Sequence, residues 1–215
     1  MTEPVITREL NDQTLDAELA SLLWLLVEAG VPLTVTGRPG GRHRLRSAIQ
    51  ALTGGAGWSV ASVRALEGAV HDAVTLDELL KQLAAPPHLL SEDQLRELGV
   101  VLVLDSTPGA DRRVVAAHYM RPVERDREGH LQRRPPALLS AWDESTARFE
   151  HFAWGVTAEL ASRAGMSTAV FESLHLERAA FLGGLAAAGI DGGASMARAL
   201  EGYRLLGATG RHEGH

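Results

Sequence analysis

The sequence predicts an α/β fold: a sheet flanked by helices, followed by a C-terminal α-helical appendage. Three observations carry that reading. Residues 33–52 run as a short apolar strand, a glycine-rich turn and an amphipathic helix. Residues 100–104 (Val-Val-Leu-Val-Leu) form an uninterrupted apolar run between Gly99 and Asp105, short enough for a strand and apolar enough to be buried on both faces, as in a parallel sheet under helices. From Val156 onward the apolar spacing becomes helical and stays so.

Taken in order, residues 1–13 are polar and read as an irregular lead-in. Thr14 is a plausible N-cap, with Asp16 and Glu18 in the first turn of a helix that ends at Gly30 and Pro32. Leu15, Leu19, Leu22, Leu23, Leu26 and Val27 form its stripe, and Trp24 and Leu25 widen it, so the helix needs cover on more than one side. The first strand is residues 33–36, and the helix behind the glycine turn buries Leu45, Ala48, Ile49 and Leu52. Residues 58–66 alternate with period two and predict a strand. Thr75-Leu-Asp-Glu78 is a capping box for a helix bearing Leu76, Leu79, Leu80 and Leu83, stopped by Pro86 and Pro87. Ser91-Glu-Asp-Gln94 opens a second, short helix through Leu98.

After the strand at 100–104, turn residues at 106–111 lead to a strand at 113–120. Residues 121–136 are charged and proline-bounded, an exposed loop, followed by short strands at 137–142 and 148–154. Helices follow at 157–164, from Ser167 (Val170, Phe171, Leu174, Ala180, Phe181, Leu185), and after Asp191 (Met196, Ala199, Leu200, Tyr203, Leu206). The domain organisation expected is therefore a lead-in (1–13), an α/β domain (14–155), a helical segment (156–207) and a loose tail (208–215).

Composition narrows the function classes. A net charge of −6 argues against a nucleic-acid-binding surface, and the absence of cysteine excludes disulfides, zinc–thiolate sites and thiol catalysis. The N-terminus lacks the basic and apolar regions of a secretory signal. The most apolar segment, 22–31, is interrupted by Glu28 and is too short to cross a bilayer, so a cytoplasmic location is expected.

The glycine turn is the candidate site. A working phosphate loop reads Gly, four residues, then Gly-Lys-Ser/Thr, so that backbone N–H groups and a lysine hold phosphate while the hydroxyl helps hold Mg²⁺. Counted from Gly37, the second glycine falls on Arg42, the lysine on His43 and the hydroxyl on Arg44. His43 is short and mostly neutral near pH 7, Arg44 repels Mg²⁺, and Arg42 crowds the backbone. Hydrolysis of Mg·ATP is not expected, and no catalytic residue or metal ligand is assigned. Two readings stay open. Gly37, Arg38, Pro39, Gly40, Gly41, Arg42, His43 and Arg44 form a degenerate site for ATP, ADP or phosphate without Mg²⁺. Alternatively, the turn is a solvated loop or a basic patch that docks on an acidic partner.

Elsewhere, His118 lies on a predicted strand without a carboxylate nearby in sequence, and His151 is explained by an outward strand position as well as by a ligand role. His212 and His215 are metal-compatible in type only. No serine sits in a Gly-x-Ser-x-Gly elbow.

Placed in order, these segments resemble the C-terminal RecA-like domain of the type II/type IV secretion and archaeal flagellum ATPase superfamily. Residues 19–30 are similar to the helix before the phosphate loop, and 33–52 fall where strand, loop and helix belong. Residues 74–87 resemble the segment after the histidine box, 89–104 the short helix and buried strand that follow, and 111–115 (Asp-Arg-Arg-Val-Val) the arginine-led strand. Trp142-Asp143 through Phe149-Glu150 is similar to the late tryptophan–aspartate hairpin. Only five residues, 53–57, separate Leu52 from Trp58 in this chain, where the family places the catalytic glutamate and the acidic box. The histidine box is missing at 62–65, and His71 is out of register. No substitute for the glutamate or the acidic box is found in residues 53–57, and Glu67 and Asp105 are the candidates only if the acidic residues of an active ATPase come from elsewhere. The resemblance implies a reduced RecA-like sheet and a degenerate, non-hydrolysing relative of these motors. It implies action through protein partners (an intact secretion-type ATPase, a pilus component or further copies of itself) with no membrane insertion. An active ATPase is the remaining alternative.

Overall fold

The computed structural model describes residues 4–38, 40–54, 72–108, 110–126 and 128–209. The strand expected at 58–66, the segment in place of the histidine box, Glu67, His71, Pro39, and His212 and His215 lie outside these residues.

The polar lead-in is a helix in part: α1 spans Ile6–Asn11. Val5 and Ile6 are buried, and the polar residues that made the segment look solvated are engaged too. The Thr7 hydroxyl donates to the Ile190 carbonyl, and Glu9 pairs with Arg44. Helix α2 (Ala17–Glu28) is capped by Asp16, which accepts from the Leu19 N–H at 2.9 Å. Thr14, expected as that cap, instead accepts at its carbonyl from Val114 N–H. Residues 19–27 of α2 are all buried, so the helix is covered on every side, as its broad apolar surface demands.

Strand β1 (Leu33–Gly37) leads to α3 (Arg42–Leu52), and α4 (Leu76–Ala84) and α5 (Glu92–Arg96) lead to β2 (Val100–Thr107). Strand β3 (Ala110–Tyr119) is followed by a two-residue pair, β4 (Glu124–Arg125) and β5 (Leu131–Gln132), inside the charged loop. Then come β6 (Ala137–Asp143), β7 (Arg148–His151), a 3₁₀ turn at Ala153–Gly155, α6 (Thr157–Arg163), α7 (Thr168–Ala187) and α8 (Gly193–Thr209).

The five-stranded sheet runs β1-β2-β3-β6-β7. Only β1 and β2 are parallel, paired from Leu33↔Val100 to Gly37↔Leu104, and the remaining three pairs are antiparallel. The parallel environment expected around β2 thus holds on one side. On the other, the tight turn from Thr107 to Ala110 permits only an antiparallel neighbour. Strand β2 is buried on both faces: Val100, Leu102 and Leu104 join the main core, while Val101 packs with Leu79, Leu83, Leu98 and Met120 under α4 and α5.

The C-terminal helices are no appendage. Phe171, Leu182, Met196 and Leu200 belong to the same core cluster as Trp24 and Leu139, because α2 needs a second cover and α7 provides it. Trp24 lies against Phe181 and Tyr203, and the Arg178 guanidinium sits 4.3 Å above its ring while pairing with Glu28 at 2.6 Å. The result is a mixed α/β protein with a five-stranded sheet flanked by helices. No helix among the described residues is long and apolar enough to cross a membrane.

Candidate functional site: the glycine turn

β1 brings Gly37 alongside the last apolar residue of β2, so closely that a Cβ at Gly37 would stand 1.8 Å from the Leu104 carbonyl oxygen. Its φ of +116° lies in the region that favours glycine. The next residue, Arg38, donates its N–H to the same carbonyl at 3.2 Å. Helix α3 then begins directly behind the turn, at Arg42. Gly41 occupies the N-cap position, offers no side chain to the first-turn N–H groups, and has the Arg112 side chain against it. The strand, turn and helix order is as the sequence predicts.

The charges are arranged differently from a phosphate cradle. Arg42 folds back across the turn: its Nη1 donates to the Gly37 carbonyl at 2.9 Å and lies 3.2 Å from Asp72. Arg44 turns away toward α1, with Nε 2.6 Å from Glu9 and Nη2 2.9 Å from Asp12. Burial works against its charge, but Glu9 and Asp12 outweigh that and hold the guanidinium above its ordinary value. Arg38 Nε meets Asp105 Oδ1 at 2.7 Å. His43 is exposed, with Nδ1 3.3 Å from Ser47 Oγ one turn along. Each of these three arginines therefore already has a carboxylate. Asp105, one of the two acidic candidates, spends the same oxygen on Arg38 and on the Ser106 N–H. An incoming phosphate has to compete with those pairs.

No local pattern marks Glu9, Asp12 and Asp72 as partners, since each reaches the turn from a distant segment. The other candidates stand apart from it. His118 is largely buried on β3, which pushes its pKa down, and among the described residues no carboxylate pairs with it. His151 does not face outward alone: its Nε2 lies 2.8 Å from Asp16 and 3.5 Å from Glu18. In the charged loop, Asp126 accepts from the N–H groups of Glu128 and His130, which is ordinary turn chemistry.

No family model matches the chain. Nor does any curated protein.

Proposed function

We propose that the chain is a catalytically degenerate relative of the type II/type IV secretion and archaeal flagellum ATPases. On this reading it keeps a reduced RecA-like core and serves as an accessory or regulatory protein of a pilus or secretion-type apparatus. It works in the cytoplasm through protein–protein contacts, with an intact motor or with further copies of itself. The observation that carries the reading is the state of the turn. It retains strand, glycines and helix, yet Arg38, Arg42 and Arg44 are each tied to a carboxylate of the same chain. Such a turn works as a structural joint between β1, α1 and α3.

Two measurements test it. Purified protein with Mg·ATP is expected to release phosphate no faster than a blank, and turnover above background overturns the non-hydrolysing part. Co-expression with an intact motor and its pilus components is expected to yield a complex, and failure to recover any of them overturns the partner.

A second reading rests on the first turn of α3, which has no side-chain cap and so leaves N–H groups for an anion. Titration calorimetry with ATP, ADP and GTP, with and without Mg²⁺, separates the two. Mg²⁺-independent heat that Arg42→Ala abolishes in a folded protein favours a nucleotide- or phosphate-binding module.

A further inference from the structure

A second concavity, remote from the glycine turn in sequence, lies where β3 ends against α6, with a volume of about 570 Å³. Small-molecule sites commonly span roughly 300–1,000 Å³. Tyr119 lines it, is fully buried, and has a hydroxyl with no hydrogen-bond partner among the described residues. A buried donor left unmet is uncommon in a folded protein, because its lost hydration is not repaid. The charges that act on that phenol, Arg163, Glu159, Glu124 and Arg121, all line the same cavity. Burial pushes the phenol up from its ordinary value, so the hydroxyl keeps its proton and stays a donor.

The remaining charges leave one cation over. Arg121 forks onto Glu159, with Nε at 3.0 and 3.1 Å and Nη2 at 2.6 Å. Arg134 lies 3.6 Å from Glu124 and 3.7 Å from Glu159. Both glutamates are thus neutralised by two of the three arginines in the lining. Arg163 is the third, and among the described residues it forms no ion pair. At the same cavity stands Trp154, 81% exposed, an indole in water where most tryptophans are covered.

We propose that this cavity binds a small aromatic carboxylate, its oxygens accepting from Arg163 and the Tyr119 hydroxyl and its ring stacking on Trp154. One surplus positive charge and two separate donors suit a planar monoanion with two oxygens. A phosphate dianion would meet two glutamates as well, and a cation would meet the surplus arginine. The flat, exposed indole favours an aromatic body over an aliphatic one.

The test uses the full chain and the indole N–H resonances, with Trp154 assigned by its loss in Trp154→Phe. Benzoate is expected to shift the Trp154 signal saturably at about millimolar concentration, as its size allows, and 2-naphthoate to bind several-fold more tightly. Benzylamine, of the same shape and opposite charge, is expected to give no saturable shift. Tyr119→Phe removes only an unpaired oxygen, so it is expected to fold and melt normally while weakening benzoate about tenfold. Arg163→Ala, at an exposed position, is expected to do the same. The proposal is overturned if neither acid saturates the Trp154 shift, if benzylamine or inorganic phosphate binds as tightly as benzoate, or if both variants keep wild-type affinity.

Discussion

One carboxylate joins the end of β7 to the start of α2: Asp16 presents Oδ2 to His151 Nε2 at 2.8 Å and Oδ1 to the Leu19 N–H at 2.9 Å. Burial opposes the imidazolium, but the hydrogen bond and charge of Asp16, helped by Glu18, hold His151 above its ordinary 6.5. A group with a raised folded pKa stabilises fully below its unfolded value and loses that contribution as pH rises through the folded value. His118 and His175 are held below 6.5, chiefly by burial, so they act in the opposite sense and cost stability as pH falls. Denaturant unfolding between about pH 5 and 8 is therefore expected to show opposing trends in the wild type. In His151→Gln the loss on the alkaline side disappears, and stability rises with pH throughout. Parallel curves for the two proteins would mean that the pair contributes nothing.

The tie between Arg44 and Glu9 sets a second expectation. Glu9 is only 1% exposed, and Arg44 holds it at 2.6 Å. Removing the arginine leaves a carboxylate buried without a counter-charge, so Arg44→Ala should lower stability by about 2 kcal/mol or more. Adding Glu9→Leu should recover most of that. Urea midpoints of the single and double variants check it, and a double variant no better than Arg44→Ala would deny the pair its structural role.

Two glycines of the turn should respond very differently to one methyl group. Gly37→Ala drives a Cβ into the Leu104 carbonyl, and a loss of about 2 kcal/mol or more, or failure to fold, is expected. At Gly40 a Cβ meets nothing within 4 Å, so Gly40→Ala should cost only the backbone penalty of its φ of +98°, about 1 kcal/mol. Thermal melts of the two proteins decide the order.

If the acidic side chains occupy the turn's arginines, removing them should expose an anion site. Asp72→Asn with Asp105→Asn removes the carboxylate charges that meet Arg42 and Arg38. This variant is expected to bind tripolyphosphate measurably more tightly than the wild type in calorimetry at low salt, with the gain fading as salt rises. Equal affinity would place the arginines out of an anion's reach.

How much of this was readable beforehand follows the range of the interactions. Short-range signals were clear: Ser91 and Gln94 make the complete reciprocal cap, and Ser167 accepts from Val170 N–H at 3.3 Å. At the other box only half forms, since the Glu78 side chain reaches Val74 N–H rather than that of Thr75. The continuous apolar run of β2 foretold burial on both faces, but no local pattern could say which neighbours would be parallel. α1 escaped because its six residues are too few for a period, and long-range partners of Thr7 and Glu9 bury it. α7 is apolar on several faces, and nothing in its own sequence names α2 as what lies beneath. At the turn, the glycines announced the backbone path. The carboxylates that neutralise the arginines come from segments about thirty residues or more away, and so left no spacing to read.

α1 lies against both α3 and α7, and Thr7 reaches the carbonyl of Ile190. A ribosome must therefore add the 183 residues that separate Thr7 from Ile190 before α1 can find its seat. Until α7 emerges, Trp24 and its neighbours have no lid, and the nascent chain carries a greasy helix that chaperones are built to hold. This core should accordingly close only after α7 has been made, with α1 and α7 settling onto it together.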